Sequence, residues 1–197
     1  MIELVPETYV APFDLIAIFG RIAPLDVDLG CGNGDLLCEL ARRHPERNFL
    51  GIDKLAGRVM KACRKAGALD NVRILKVESS YAVRYLLPES SVENFYLLFP
   101  DPWPKRRHHR RRIVSHDFLD SIHRALEPRG TIHLATDDVH YFEQMQRVAS
   151  SSHKFECIMH SSFREDVDLP VTKFERRFRE QGAPIYRLAL RKTSPVR

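Results

Sequence analysis

Leu25-Asp26-Val27-Asp28-Leu29-Gly30-Cys31-Gly32-Asn33-Gly34-Asp35 is the stretch that decides the fold. Leu25 to Leu29 reads as a strand. Asp35 to His44 reads as a helix, with Leu36, Leu37 and Leu40 on one face and Pro45 ending it. Between them lie three alternate glycines, which let the backbone turn tightly and approach a ligand with no Cβ in the way. A dinucleotide loop of the form G-x-G-x-x-G needs its third glycine at position 35, where this chain has Asp35. A carboxylate there opposes a pyrophosphate at the helix start and suits a ligand carrying an amine or a sulfonium.

The same alternation continues outward. Strands are expected at 48–53, 72–77, 92–99, 130–135, 155–160 and 185–191. Helices are expected at 55–66, 80–87, 112–126 and 139–149, with a short turn at 175–179. Such a pattern implies an α/β fold with a mostly parallel sheet and helices on both faces. Ligands on such sheets bind at the carboxyl ends of the strands. Three of those ends carry an acid: Asp28, Asp53 and Asp101. Asp53 stands 19 residues beyond Gly34, where a carboxylate accepts both hydroxyls of an adenosine ribose. Glu78 follows the third strand, within reach of an adenine edge.

The 197 residues fit one α/β domain, residues 1–197. The four cysteines form no Cys-x-x-Cys pair, so reduced thiols and no structural metal are expected. No apolar run is long enough to span a bilayer, and the opening residues lack the order of a secretion signal; a cytoplasmic protein is expected. The net charge of +5 is uneven. Lys105, Arg106, Arg107, His108, His109, Arg110, Arg111 and Arg112 contain six of the 31 Lys and Arg residues, and the remainder of the chain sums to −1. The excess charge is thus read as belonging to one segment that meets a polyanion, with the five arginines 106, 107, 110, 111 and 112 on phosphates. Trp103 either stacks on a base or anchors its loop.

The glycine loop resembles motif I of class I methyltransferases. The segment from Phe99-Pro100-Asp101-Pro102-Trp103-Pro104-Lys105 to Ile113 is similar to the signature of bacterial tRNA (guanine-N7)-methyltransferases, as are Thr172-Lys173-Phe174-Glu175 and residues 182–188. The likeness covers roughly residues 24–190. It implies the class I methyltransferase (Rossmann-like) fold, with a seven-stranded sheet whose last strand is antiparallel. It implies S-adenosyl-L-methionine as donor and a variable-loop guanosine of tRNA as acceptor. Asp28 (where the family usually has Glu), Gly30, Gly32, Gly34, Asp53, Glu78 (where it usually has Asp or Asn) and Asp101 are then cofactor contacts. Asp101 is also the catalytic residue. Lys105, Asp137, Thr172, Lys173, Phe174 and Glu175 are substrate contacts. Monomer and homodimer both remain open.

Guanine N7 is a lone-pair nucleophile in the neutral base, so catalysis rests on in-line positioning and nearby negative charge. Pro100 and Pro102 restrict the backbone around Asp101. Two bland readings compete: Asp138 as a helix N-cap, and Thr172 with Glu175 as a capping box. Other functions weighed are a small-molecule methyltransferase, which has no use for the basic run, a non-enzymatic RNA-binding protein, and an NAD-dependent oxidoreductase, which Asp35 disfavours.

Overall fold

A computed structural model describes residues 2–161 and 169–193. The elements in chain order are β1 (Glu3–Leu4), α1 (Leu15–Phe19), β2 (Leu25–Leu29), α2 (Asp35–Arg43), β3 (Asn48–Asp53), α3 (Ala56–Ala66), β4 (Val72–Lys76), α4 (Ser79–Tyr81) running into a π-helical turn (Ala82–Leu86), and β5 (Val92–Leu98). Then come a 3₁₀ turn (Arg106–Arg111), α5 (His116–Ala125), β6 (Leu126–Thr136), α6 (Val139–Ser150), β7 (Phe155–Ser161), α7 (Lys173–Glu180) and β8 (Tyr186–Lys192).

The strands form one sheet in the order β1-β4-β3-β2-β5-β6-β8-β7. β1 to β6 pair in parallel, and β8 runs antiparallel to both β6 and β7. The seven expected strands are present with the last one antiparallel, and two-residue β1 adds an eighth at the edge. From β2 the chain winds outward through β3 and β4, then returns to β5 on the other side. The gap at the ends of β2 and β5 is therefore the place where strand order reverses, and where such sheets bind ligands.

Alternation along β2 puts its apolar residues on one face and Asp26 and Asp28 on the other. Leu25, Val27 and Leu29 join the core built with α5 and α6, including Phe118, Ile122, Tyr141 and Met145. The opposite face of β3 and β4 packs under α2 and α3 through Leu36, Leu37, Leu40, Val59 and Ala62. Each buried Leu contributes roughly 1.5–3 kcal/mol. Asp26 alternates to the polar face and is held there: Arg47 donates to it from Nη2 at 2.7 Å and Nε at 3.2 Å, and Asn94 Nδ2 donates at 2.9 Å.

The expected helix 112–126 is corrected. The basic residues before it form the 3₁₀ turn, Arg112 to Ser115 are non-helical, and the helix starts at His116 because Ser115 caps it by accepting from Phe118 N–H at 3.3 Å. β6 starts at Leu126, four residues before the expected position, since Leu126 already pairs with Val92 across an irregular register.

Candidate functional site

The β2–β3 wall is built from backbone. Gly30, Gly32 and Gly34 all adopt left-handed conformations, with φ of 76°, 57° and 73°. A Cβ at Gly30 would point into open space, whereas one at Gly34 would crowd Ala62 Cβ at 3.1 Å. The loop thus both faces a cavity and packs closely on α3. Asp53, at the end of β3, accepts from Gly32 N–H at 3.1 Å and from Leu55 N–H at 2.8 Å, and lies 3.7 Å from Arg58 Nη1. Asp28 stands behind the loop and not in the cavity wall. Burial, then the nearby Asp53 charge, push its carboxyl up to about 7. Asp35 pairs with Lys65 of α3, so its charge is answered from within the protein. Glu78 lines the cavity and caps α4, accepting from Tyr81 N–H at 2.9 Å.

The opposite wall is the loop after β5. Phe99 N–H still bonds to Ala135 O at 2.8 Å, so the end of β5 stays tied to β6. Beyond it, Phe99 and Trp103 have φ of 55° and 44°. Both precede a proline, which disfavours helical backbone at the residue before it, and neither is glycine. Backbone of this kind costs of order 1–3 kcal/mol per residue and persists only where surroundings enforce it. Asp101 lies between these two residues, exposed to the cavity. Asp137 and Asp138 follow β6, the neighbouring strand. Asp138 caps α6 by accepting from Tyr141 N–H at 2.7 Å, and Asp137 is half-buried beside it.

The basic run divides by function. Lys105, just before the 3₁₀ turn, and Arg106, Arg107, Arg110 and Arg111 on it are exposed. Arg111 lies 4.8 Å over the Trp103 ring, and His108 meets that ring edge-on at 5.8 Å, so Trp103 anchors the turn to the loop. Arg112 is corrected: it is buried and faces inward. Its Nε donates to Pro102 O at 2.7 Å, its Nη1 donates to Gln144 Oε1 at 2.8 Å, and its guanidinium covers the Tyr141 ring at 4.8 Å. A guanidinium committed to these partners is not available to a phosphate. It joins the Asp101 loop to α6, the helix that follows Asp137.

At the C-terminal signature, Thr172 accepts from Glu175 N–H at 3.1 Å as the N-cap of α7. Glu175 is buried and pairs with Arg179 and with Arg187 of β8, the latter at 2.8 Å. Both residues are therefore held in structural bonds, as the capping reading expects for Thr172. The side chains of Lys173 and Phe174 lie outside the described residues. Phe178 of α7 packs on Phe99 with ring centroids 5.3 Å apart, which seats α7 against the strained loop.

Between the walls lies a cavity of about 450 Å³ lined by Gly30, Asp53, Leu55, Glu78 and Ser79 on one side and by Leu97, Phe99, Asp101, Trp103 and Arg111 on the other. Its size falls within the range of small-molecule sites. A left-handed glycine loop, a carboxylate at the end of the next strand and apolar lining from Leu97, Leu98 and Ile113 suit a nucleoside-bearing ligand with a cationic end.

A sequence profile of the family described as "Putative methyltransferase" matches residues 22–188. The tRNA (guanine-N(7)-)-methyltransferase of Halorhodospira halophila is 40% identical over 95% of this chain and 82% of its own length. The chain belongs to the tRNA (guanine-N(7)-)-methyltransferase family. The enzyme of that name from Thermotoga maritima is 40% identical over 96% of this chain, which spans only 61% of that longer relative. Among solved structures, the 16S rRNA methyltransferase KamB superposes with a TM-score of 0.68 at 16% identity, over 92% of this chain and 93% of its own, which shows a shared fold.

For a member of this family, the residues that sequence reasoning missed are those whose role depends on partners far along the chain. Arg112 with Gln144 is one example; Lys54 and Arg58, which line the cavity from the start of α3, are another. The signal in the sequence was the run from Lys54 to Leu69, which has five cations and no Asp or Glu.

Proposed function

We propose that this protein transfers the methyl group of S-adenosyl-L-methionine to N7 of a guanosine in tRNA. The observation that carries the reading is the single cavity shared by Gly30 and Asp53 on one wall and Asp101 and Arg111 on the other. The donor, when bound, supplies an electrophilic methyl on a sulfonium. Asp53 is placed to accept the ribose hydroxyls, its position fixed by two backbone N–H groups. Glu78 and Ser79 border the adenine end. Leu97, Leu98 and Ile113 supply the apolar lining.

N7 of guanine needs no proton removed before it attacks, and the purine becomes cationic as the bond forms. Asp101 answers that charge, or accepts from the guanine N1–H and amino group, from a loop whose direction is fixed on both sides. Asp137, on the neighbouring strand end and outside the cavity lining, is the second carboxylate assigned to the base in this reading. The exposed cations of the 3₁₀ turn meet the backbone phosphates. Incubation of unmodified tRNA with the protein and labelled donor, followed by nucleoside analysis, tests the reading. 7-Methylguanosine is expected; label in a different nucleoside, or none, overturns it.

A further inference from the structure

α3 carries charge in a way that the other long helices do not. From Lys54 to Leu69 the chain contains five cations and no Asp or Glu. Among the described residues, the other four helices of eight or more residues each contain at least one carboxylate. Arg58, Lys61 and Lys65 follow each other at helical spacing, with Arg64 beside them, opposite the buried Val59, Ala62 and Ala66. Lys54, Arg58, Lys61 and Arg64 are exposed. Lys65 is answered by Asp35 and Arg58 lies near Asp53, whereas Lys61 and Arg64 have no ion-pair partner among the described residues.

The placement of this strip gives it a direction. Lys54 and Arg58 line the same cavity as Arg111 of the 3₁₀ turn, from the opposite side. The strip begins at the cavity rim and leads away from it along a helix of 11 residues, about 16 Å. The cavity mouth is thus flanked by cations on both sides. A guanosine entering between them brings phosphates on its 5′ and 3′ sides, and one basic surface answers only one of these directions.

We propose that the outer face of α3 is a second phosphate-binding surface, so that the RNA backbone is held on both rims of the cavity. This rests on RNA being the substrate. Each phosphate neutralised adds about 0.7–0.9 to the slope of log affinity against log salt. Reversing Lys61 and Arg64 together (K61E, R64E) is expected to weaken tRNA binding at least 10-fold and to lower the salt slope by about 1–2. Donor affinity and kcat at saturating tRNA should stay within about 2-fold, since neither residue lines the cavity. The charge-preserving pair K61R, R64K is expected to bind tRNA like the unaltered protein. An unchanged affinity and salt slope in the reversed variant, or equal weakening in the charge-preserving one, overturns the proposal. Failure of the unaltered protein to form 7-methylguanosine overturns the substrate reading instead, and is measured separately from these slopes.

Discussion

Asp53 and Asp101 face one cavity, yet the protein holds them by opposite means. On the β2–β3 wall Asp53 is 3% exposed and is gripped by two N–H groups from its own and the adjoining loop. On the β5 wall Asp101 is exposed, between two left-handed residues, and its loop is held by side chains: Arg112 on Pro102 and Arg111 on Trp103 from the same connection, and Phe178 of α7 on Phe99. Backbone bonds fix the first wall as soon as the strands form. The second is held by side chains, with Gln144 and Tyr141 of α6 on Arg112 and Phe178 of α7 on Phe99. A wall made by local backbone suits binding a constant ligand; a wall aimed by tertiary contacts suits directing one reactive group.

The largest effect should come from the exposed carboxylate. Asp101→Ala is expected to lower kcat by about 10²–10³-fold, the range for removing one electrostatic partner of a transition state, while tRNA affinity changes less than about 3-fold. Single-turnover rates and filter binding read the two separately; an active variant would erase the division between the walls.

The second test concerns the buried wall. Asp28 in the folded protein titrates at about 7 against an ordinary 3.8. Folding therefore takes up a proton between those values, and stability falls as pH rises through that window. At about 1.4 kcal/mol per unit, the loss from pH 5 to pH 8 is on the order of 3 kcal/mol. Asp28→Asn should abolish this decline, so that its Tm exceeds that of the unaltered protein at pH 8 by more than at pH 5. Parallel Tm curves for the two proteins would show that Asp28 is not the group responsible.

The smallest effect sharpens the role of the clamp. Arg112→Met keeps most of the apolar stem but loses the bonds to Pro102 and Gln144. A fall of about 10–30-fold in kcat with donor affinity unchanged is expected, equivalent to the one or two hydrogen bonds lost. Arg112→Lys should recover part of the rate. A variant that instead weakens the salt dependence of tRNA binding would return Arg112 to the phosphate surface.

The fold was legible because its signals are local. The strand before Gly30, the apolar face of Leu36, Leu37 and Leu40, and the acid that closes each strand are each read from a few consecutive residues. The same holds for the caps: Asp138 and Thr172 accept from N–H groups three residues on, within reach of a sequence pattern. The charge reading failed on summation. Residues outside 105–112 cancel to −1 in total, and that total hid the all-basic α3 because the offsetting acids lie on other elements. Arg112 was misassigned for a related reason: in sequence it ends a basic run, and only the packing of α6 supplies the Gln144 oxygen and Tyr141 ring that draw it inward.

Left-handed backbone at Phe99 and Trp103 means that this loop carries a local conformational cost that its contacts with Phe178 and Arg111 hold in place. Phe99→Gly relieves the steric conflict at its own position and at once frees the direction of Asp101. Selection for thermal robustness and selection for turnover thus pull in opposite directions on the same five residues. A laboratory search for heat-resistant variants that ignores methyl transfer would be drawn to this loop and would dull the enzyme there.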